Sequence, residues 1–126
     1  MRALIIAAAF LLFAATVQAE LPSANAVIIK QALASGQPTV IDLGARSCIP
    51  CKKMAPILEE LSATYRGKAN VLFIDVREDQ AAARSFGIQM IPTQIFFDGK
   101  GQEVKRHVGF MDRPDLIDGL KAAGLK

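Results

Sequence analysis

The chain holds two cysteines, Cys48 and Cys51, in the run Arg46-Ser47-Cys48-Ile49-Pro50-Cys51-Lys52-Lys53. Two thiols separated by two residues can close a disulfide only where the backbone already turns as the first turn of a helix does. Pro50 favours that turn, because its φ is fixed near the helical value and it lacks an N–H that the first turn would leave unpaired. Cys48 is then expected at a helix N-terminus, where unpaired N–H groups and the helix dipole favour thiolate over thiol. Arg46, Lys52 and Lys53 act in the same direction. That chemistry is nucleophilic: Cys48 attacks a disulfide, and Cys51, one turn along, resolves the mixed disulfide. Two other readings of the pair are an inert staple and a soft-metal clamp. So short a ring removes little entropy from the unfolded chain. A closed zinc site takes about four ligands, whereas the chain supplies two Cys and one His. A CxxC beside alternating strands and helices reads as redox chemistry, with no metal and no organic cofactor required.

The elements around the motif must hold it. Thr39 to Gly44 reads as a strand whose apolar Val40, Ile41 and Leu43 are interrupted by Asp42. An acid in an otherwise buried strand is an informative exception. Burial would raise its pKa and suit it to accept and return a thiol proton. After the motif, a helix over about Pro50 to Tyr65 places Met54, Ile57, Leu58, Leu61 and Tyr65 on one face, with Pro56 inside it.

Before the first strand, Ser23 is positioned to cap a helix over about Ala24 to Ala34, with Val27, Ile28 and Leu33 facing a core and Gly36 as its stop. Val71 to Val76 reads as a strand covered on both faces. A short helix over about Gln80 to Phe86 follows. Ile91-Pro92 then precedes a strand from Thr93 to Phe97, in which Phe96 and Phe97 are core, as is Phe86 before it. Asp98 to Gly101 turns into a returning strand, Gln102 to Val108. His107 is expected as an exposed residue of that strand, and Phe110 and Met111 follow Gly109. Asp112 caps a last helix with Pro114 in its first turn. The order is α-β-α-β-α-β-β-α. It predicts an α/β fold with a central mixed sheet of about four strands, mostly parallel with an antiparallel C-terminal hairpin, and helices on both faces.

Residues 1–19 form one apolar block with a single charge, Arg2, ending Val17-Gln18-Ala19. That is the pattern of a secretory signal peptide cut after Ala19. Its apolar run is shorter than the ~20 residues a membrane span needs. It inflates the hydrophobic fraction of 52%. The remaining residues 20–126 suffice for one domain. The whole chain carries a net charge of +3, and the part after Ala19 one less, too balanced to argue for nucleic acid. Export places the protein in a periplasmic or secreted, oxidising setting, where a dithiol stays reduced only if something keeps reducing it.

Asp42, Cys48-x-Pro50-Cys51-Lys52, Pro56, Ile91-Pro92-Thr93 and Gly109 stand at the separations found in the thioredoxin family, which the chain resembles over residues 20–126. The resemblance implies a thiol-disulfide oxidoreductase with Cys48, Cys51 and Asp42 as catalytic residues and Ile49, Pro50 and Pro56 supporting the motif. It also implies a cis Pro92, with the backbone of Met90 and Ile91 pairing with an extended substrate segment. Disulfide-containing proteins are the substrates so implied, a membrane electron donor is the source of reducing equivalents, and the protein is expected as a monomer. The alternatives are a disulfide-donating oxidase or isomerase of the same fold, or a soft-metal chaperone. The chain departs from the family in four places: Ser47 replaces the usual Trp, Ile49 replaces a Gly, Phe73 stands where many members have a lysine beside the buried acid, and the first strand is very short or missing.

Overall fold

The computed structural model describes residues 20–126; the expected signal peptide lies outside them. Its elements are α1 (Ala26–Leu33), β1 (Thr39–Gly44), α2 (Ile49–Thr64), β2 (Asn70–Asp75), α3 (Gln80–Ser85), β3 (Thr93–Phe97), β4 (Glu103–Val108) and α4 (Arg113–Ala122). The four strands form one sheet in the order β2-β1-β3-β4.

Strand direction departs from expectation. Only β1 and β2 run parallel; β3 is antiparallel to β1, and β4 antiparallel to β3. The sheet is mixed, but it is not mostly parallel. The connection from β2 to β3 spans residues 76–92 and holds only the short helix α3. The chain enters β3 at the end of the sheet where β2 finished, with Thr93 beside Leu43, running the opposite way.

Every residue of β1 is buried, as a central strand between two helical layers requires. Alternation then sorts its side chains. Ile41 and Leu43 join Ile29, Ile74, Ile95 and Phe97 in the layer under α1 and α3. Val40 joins Met54, Leu58, Leu61, Val71, Phe96, Leu116 and Leu120 in the layer under α2 and α4. Asp42, two residues after Val40, points into that second layer. Helices thus cover both faces, as predicted. Strand β4 forms one edge and is largely exposed.

The first helix corrects two expectations. Its cap is Asn25, whose Oδ1 accepts from Ile28 N at 3.0 Å, not Ser23. Ser23 instead makes the single parallel bridge to Phe73 that remains of a first strand, and its hydroxyl accepts from Asp75 N at 2.9 Å. With the helix starting two residues later, Ile29 and Ala32 face the core, while Val27 (62% exposed) and Ile28 lie in water. Leu33 packs against the core at its margin. Asp112 caps α4 as expected, accepting from Asp115 N at 3.1 Å.

Candidate active site

Cys48 is the N-cap of α2, its backbone extended and its sulfur accepting from Cys51 N at 3.4 Å. The helix begins on the next residue because Pro50 in its first turn supplies helical φ without an N–H in need of a partner. Cys48 and Cys51 are joined in a disulfide with Cα atoms 5.2 Å apart. The two sulfurs differ in access: Cys48 is half-buried at the surface, whereas Cys51 is 5% exposed. Helix dipole and amide both favour negative charge at the outer sulfur. Ile49 beside it is 71% exposed, a bare apolar side chain next to the reacting bond. Ser47 takes a hydrogen bond from Arg77 Nη1, so the loop before the motif is tied to the one after β2.

Beneath the pair lies Asp42. It is wholly buried and is flanked in register by Phe73 of β2 and Gln94 of β3. Burial pushes its carboxyl up from the ordinary 3.8 to about 6, with the Gln94 hydrogen bond pulling the other way. Gln94 Nε2 donates to Asp42 Oδ1 at 3.0 Å. The step from Asp42 to the sulfur is made by a glycine. A Cβ on Gly44 would stand 3.0 Å from Cys51 Sγ and 3.5 Å from Asp42 Oδ2. The space left by its missing side chain therefore separates the free carboxylate oxygen from the inner sulfur.

Cys51 also lines a small, partly open cavity of about 20 Å³, bounded by Ala45, Arg46, Lys52, Leu58 and Phe73 among others, room for one water. Arg46 roofs it: its guanidinium lies 5.0 Å over the Phe73 ring, pairs with Glu20 at 2.8 Å and donates to Leu21 O at 3.0 Å. Asp75 anchors the base of that loop. Burial raises its pKa, but hydrogen bonds from the backbone N–H groups of Arg77, Arg46 and Glu78 outweigh this and hold it below the ordinary value.

The Ile91-Pro92 bond is cis, as the family resemblance implied. Thr93, next in line, pairs with Leu43, so the bend lies at the end of β1 from which the motif emerges. Pro92 is buried, Ile91 half-buried, and Met90 66% exposed. Thr93 Oγ1 donates to Met90 O at 2.6 Å and Gly109 N to Pro92 O at 2.8 Å. The bend is pinned from both sides while the Met90 side chain stays exposed. Pro56 is exposed within α2, about 7 Å along the axis from Cys51, and it faces away from the sulfurs. Met111, two residues after Gly109, is buried in the layer under α2 and α4. Phe110 beside it is exposed. The ring of His107 lies against Phe110 O at 3.2 Å.

Gln94 joins the site from a strand whose sequence carries the same kind of signal as that of Asp42: a large polar side chain inside Thr-Gln-Ile-Phe-Phe, otherwise fit for burial.

A CxxC disulfide capping a helix, one sulfur open and one covered, over a mixed sheet sandwiched by helices, defines a thiol-disulfide oxidoreductase. The thioredoxin family model matches residues 22–122. Thioredoxins of Staphylococcus aureus strains Mu50 and MW2 are 43% identical over 81 residues, 64% of this chain and 77% of theirs. The structure of a mutant thioredoxin from Halobacterium salinarum NRC-1 superposes with a TM-score of 0.72 at 28% identity, over 82% of this chain and 88% of that one. The chain belongs to the thioredoxin family, and its activity is protein-disulfide reduction through the Cys48–Cys51 pair.

Proposed function

We propose that the protein works outside the cytoplasm, reducing disulfides of exported proteins with electrons passed to it by a membrane carrier. The observation that carries the chemistry is the unequal access of the two sulfurs; the apolar block at residues 1–19, ending in Val17-Gln18-Ala19, supports the location. In the reduced enzyme, Cys48 thiolate attacks a substrate disulfide. One sulfur–sulfur bond forms, one breaks, and the first substrate thiolate leaves. Cys51 then gives its proton to the Asp42 carboxylate, by way of a water between them, and attacks Cys48 Sγ. The second substrate thiolate leaves, and the Cys48–Cys51 disulfide remains. A donor dithiol then reduces the Cys48–Cys51 bond with two electrons: Cys48 leaves as thiolate, Cys51 takes back the proton held by Asp42, and the donor's two protons balance the two substrate thiolates released. No bound metal or organic cofactor enters these steps.

Met90, Ile91 and Pro92 form the shelf for substrate. The bend offers backbone at the edge of the site, and the exposed side chains of Met90 and Ile49 give an apolar rim. Pro50 lets Cys48 sit as cap, and Pro56 supports the helix behind it.

Trapping tests this reading. A full-length Cys51→Ala chain, expressed in cells that export it, should accumulate in mixed disulfides through Cys48 with exported proteins, and a Cys48→Ala chain should not. Recovery of cytoplasmic clients alone overturns the location. The direction is tested by the reduction potential: a reductase lies near the about −270 mV of thioredoxin, while a value near about −120 mV is that of an oxidant.

A further inference from the structure

We infer that Gln94 is a positioning residue for the reaction, the amide partner that holds Asp42 in place and serves it in both of its protonation states. This rests on the reading of Asp42 as proton acceptor for Cys51.

The starting point is an imbalance in the buried layer. Asp42 lies on the central strand with no cationic neighbour in register: Phe73 stands beside it on β2 and Gln94 on β3. An unpaired buried carboxylate is costly, and among the described residues a neutral amide is the only side chain hydrogen-bonded to it. The orientation of that amide follows from its surroundings. Nε2 lies 3.0 Å from Asp42 Oδ1 and 3.1 Å from Met54 Sδ. Both neighbours are acceptors while Asp42 is ionised, so the NH2 group has to face them.

The other ends are left over. Among the described residues, the buried side-chain atoms without a partner are Asp42 Oδ2 and Gln94 Oε1. Native structures rarely leave such atoms unpaired without a reason. A role in proton transfer supplies one for Asp42 Oδ2, and Gln94 Oε1 is left over because the NH2 end of the amide is committed to Asp42 and Met54. Asp42 Oδ2 is the oxygen facing the Gly44 gap toward Cys51 Sγ, and there it is free to receive a proton. Once Oδ2 carries that proton, Oδ1 is still an acceptor and keeps its hydrogen bond from Gln94 Nε2, so the same amide holds the side chain whether it is ionised or neutral. A lysine would favour the carboxylate alone, and an apolar side chain would serve neither state. The direction of the hydrogen-bond effect, which lowers the Asp42 pKa against the larger rise from burial, agrees with an amide that keeps the carboxylate within reach of neutral pH.

Other ionisable groups on the packed elements are engaged elsewhere. Asp75 on β2 is held by backbone amides. His107, opposite Gln94 on β4, bonds Phe110 O. Lys105, opposite Phe96, lies 5.9 Å over that ring. Arg46 and Lys52 border the cavity behind Cys51. Helix α4 turns Leu116 and Leu120 to this layer.

The test uses the reduced protein with carbon-13-labelled aspartate, following the Asp42 carboxyl by NMR through its titration in wild type, Gln94→Leu and Gln94→Met. Both replacements keep a buried side chain of similar size, and circular dichroism verifies the fold. Loss of one hydrogen bond to a charged group should make Asp42 about tenfold weaker as an acid. The acid limb of the disulfide-reduction rate should move up by the same amount. An Asp42 midpoint that stays in place in both variants overturns the role of Gln94. An acid limb that persists unchanged in Asp42→Asn overturns instead the reading of Asp42 as proton acceptor, and the role of Gln94 with it.

Discussion

Gly44 and Cys51 approach so closely across the β1–α2 junction that a Cβ on the glycine would lie 3.0 Å from the sulfur and 3.3 Å from Cys51 Cβ. The backbone of Gly44 is an ordinary strand, so its glycine serves the space and not the conformation. Asp42 sees Cys51 through that space. Gly44→Ala should therefore fold but fill the gap. Small displacements at a reacting centre are costly, and the rate of release from a Cys48 mixed disulfide should fall at least about tenfold. Stopped-flow measurement of that release checks it; an unchanged rate shows that the gap is not used.

Asp42 also sets a pH dependence of stability. Its carboxyl titrates at about 6 in the folded chain against an ordinary 3.8. Between those values the folded protein binds a proton that the unfolded chain has released, so stability falls as pH rises through the window. The full loss is on the order of 3 kcal/mol and is present above the folded value. Asp42→Asn removes it. Urea unfolding of the oxidised protein should show a gain of about 2–3 kcal/mol near pH 8 and almost none near pH 3.5. A gain of the same size at both pH values would contradict the assignment.

The outer and inner sulfurs should also react differently. Cys48 is half-exposed and receives an amide N–H, while Cys51 is covered. In reduced protein near neutral pH, iodoacetamide should modify Cys48 at least about tenfold faster than Cys51. Peptide mass spectrometry after brief exposure reads this directly, and equal rates would remove the basis for a nucleophile and a resolver.

Stability has a separate point of control far from the sulfurs. Gly119 in α4 lies on the ring of Phe96, and a Cβ there would come within 2.9 Å of Phe96 Cδ1 and nearer still to the ring's far edge. Phe96 is fully buried and has nowhere to move. Gly119→Ala, favourable by helix propensity alone by about 1 kcal/mol, should instead destabilise by about 1–3 kcal/mol through overpacking. A lowered melting temperature with an unaltered reduction potential is the expected pair of results.

Ile49 stands exposed within the Cys48–Cys51 motif and Met90 just before the cis Ile91-Pro92 bend. Replacing both with Ser should raise KM for a protein disulfide several-fold and leave the rate with a small aromatic disulfide nearly unchanged. An equal effect on both substrates would place them in the chemistry and not in binding.

Much of this was legible along the chain because it is local. The Cys48–Cys51 spacing with Pro50 dictates a helix start with one sulfur at its cap. The anomaly of Asp42 within Val-Ile-Asp-Leu marks a buried acid, and the caps and glycines bound most elements to within a residue or two. Where local signals competed, the nearer one won: Asn25 displaced Ser23 as cap, and Val27 and Ile28 turned outward. The direction of β3, the pairing of Asp42 with Gln94 and the clearance between Gly44 and Cys51 belong to tertiary structure. Each joins residues that only the closing of the sheet and the docking of α2 bring together, and no periodicity within a single element records such a meeting.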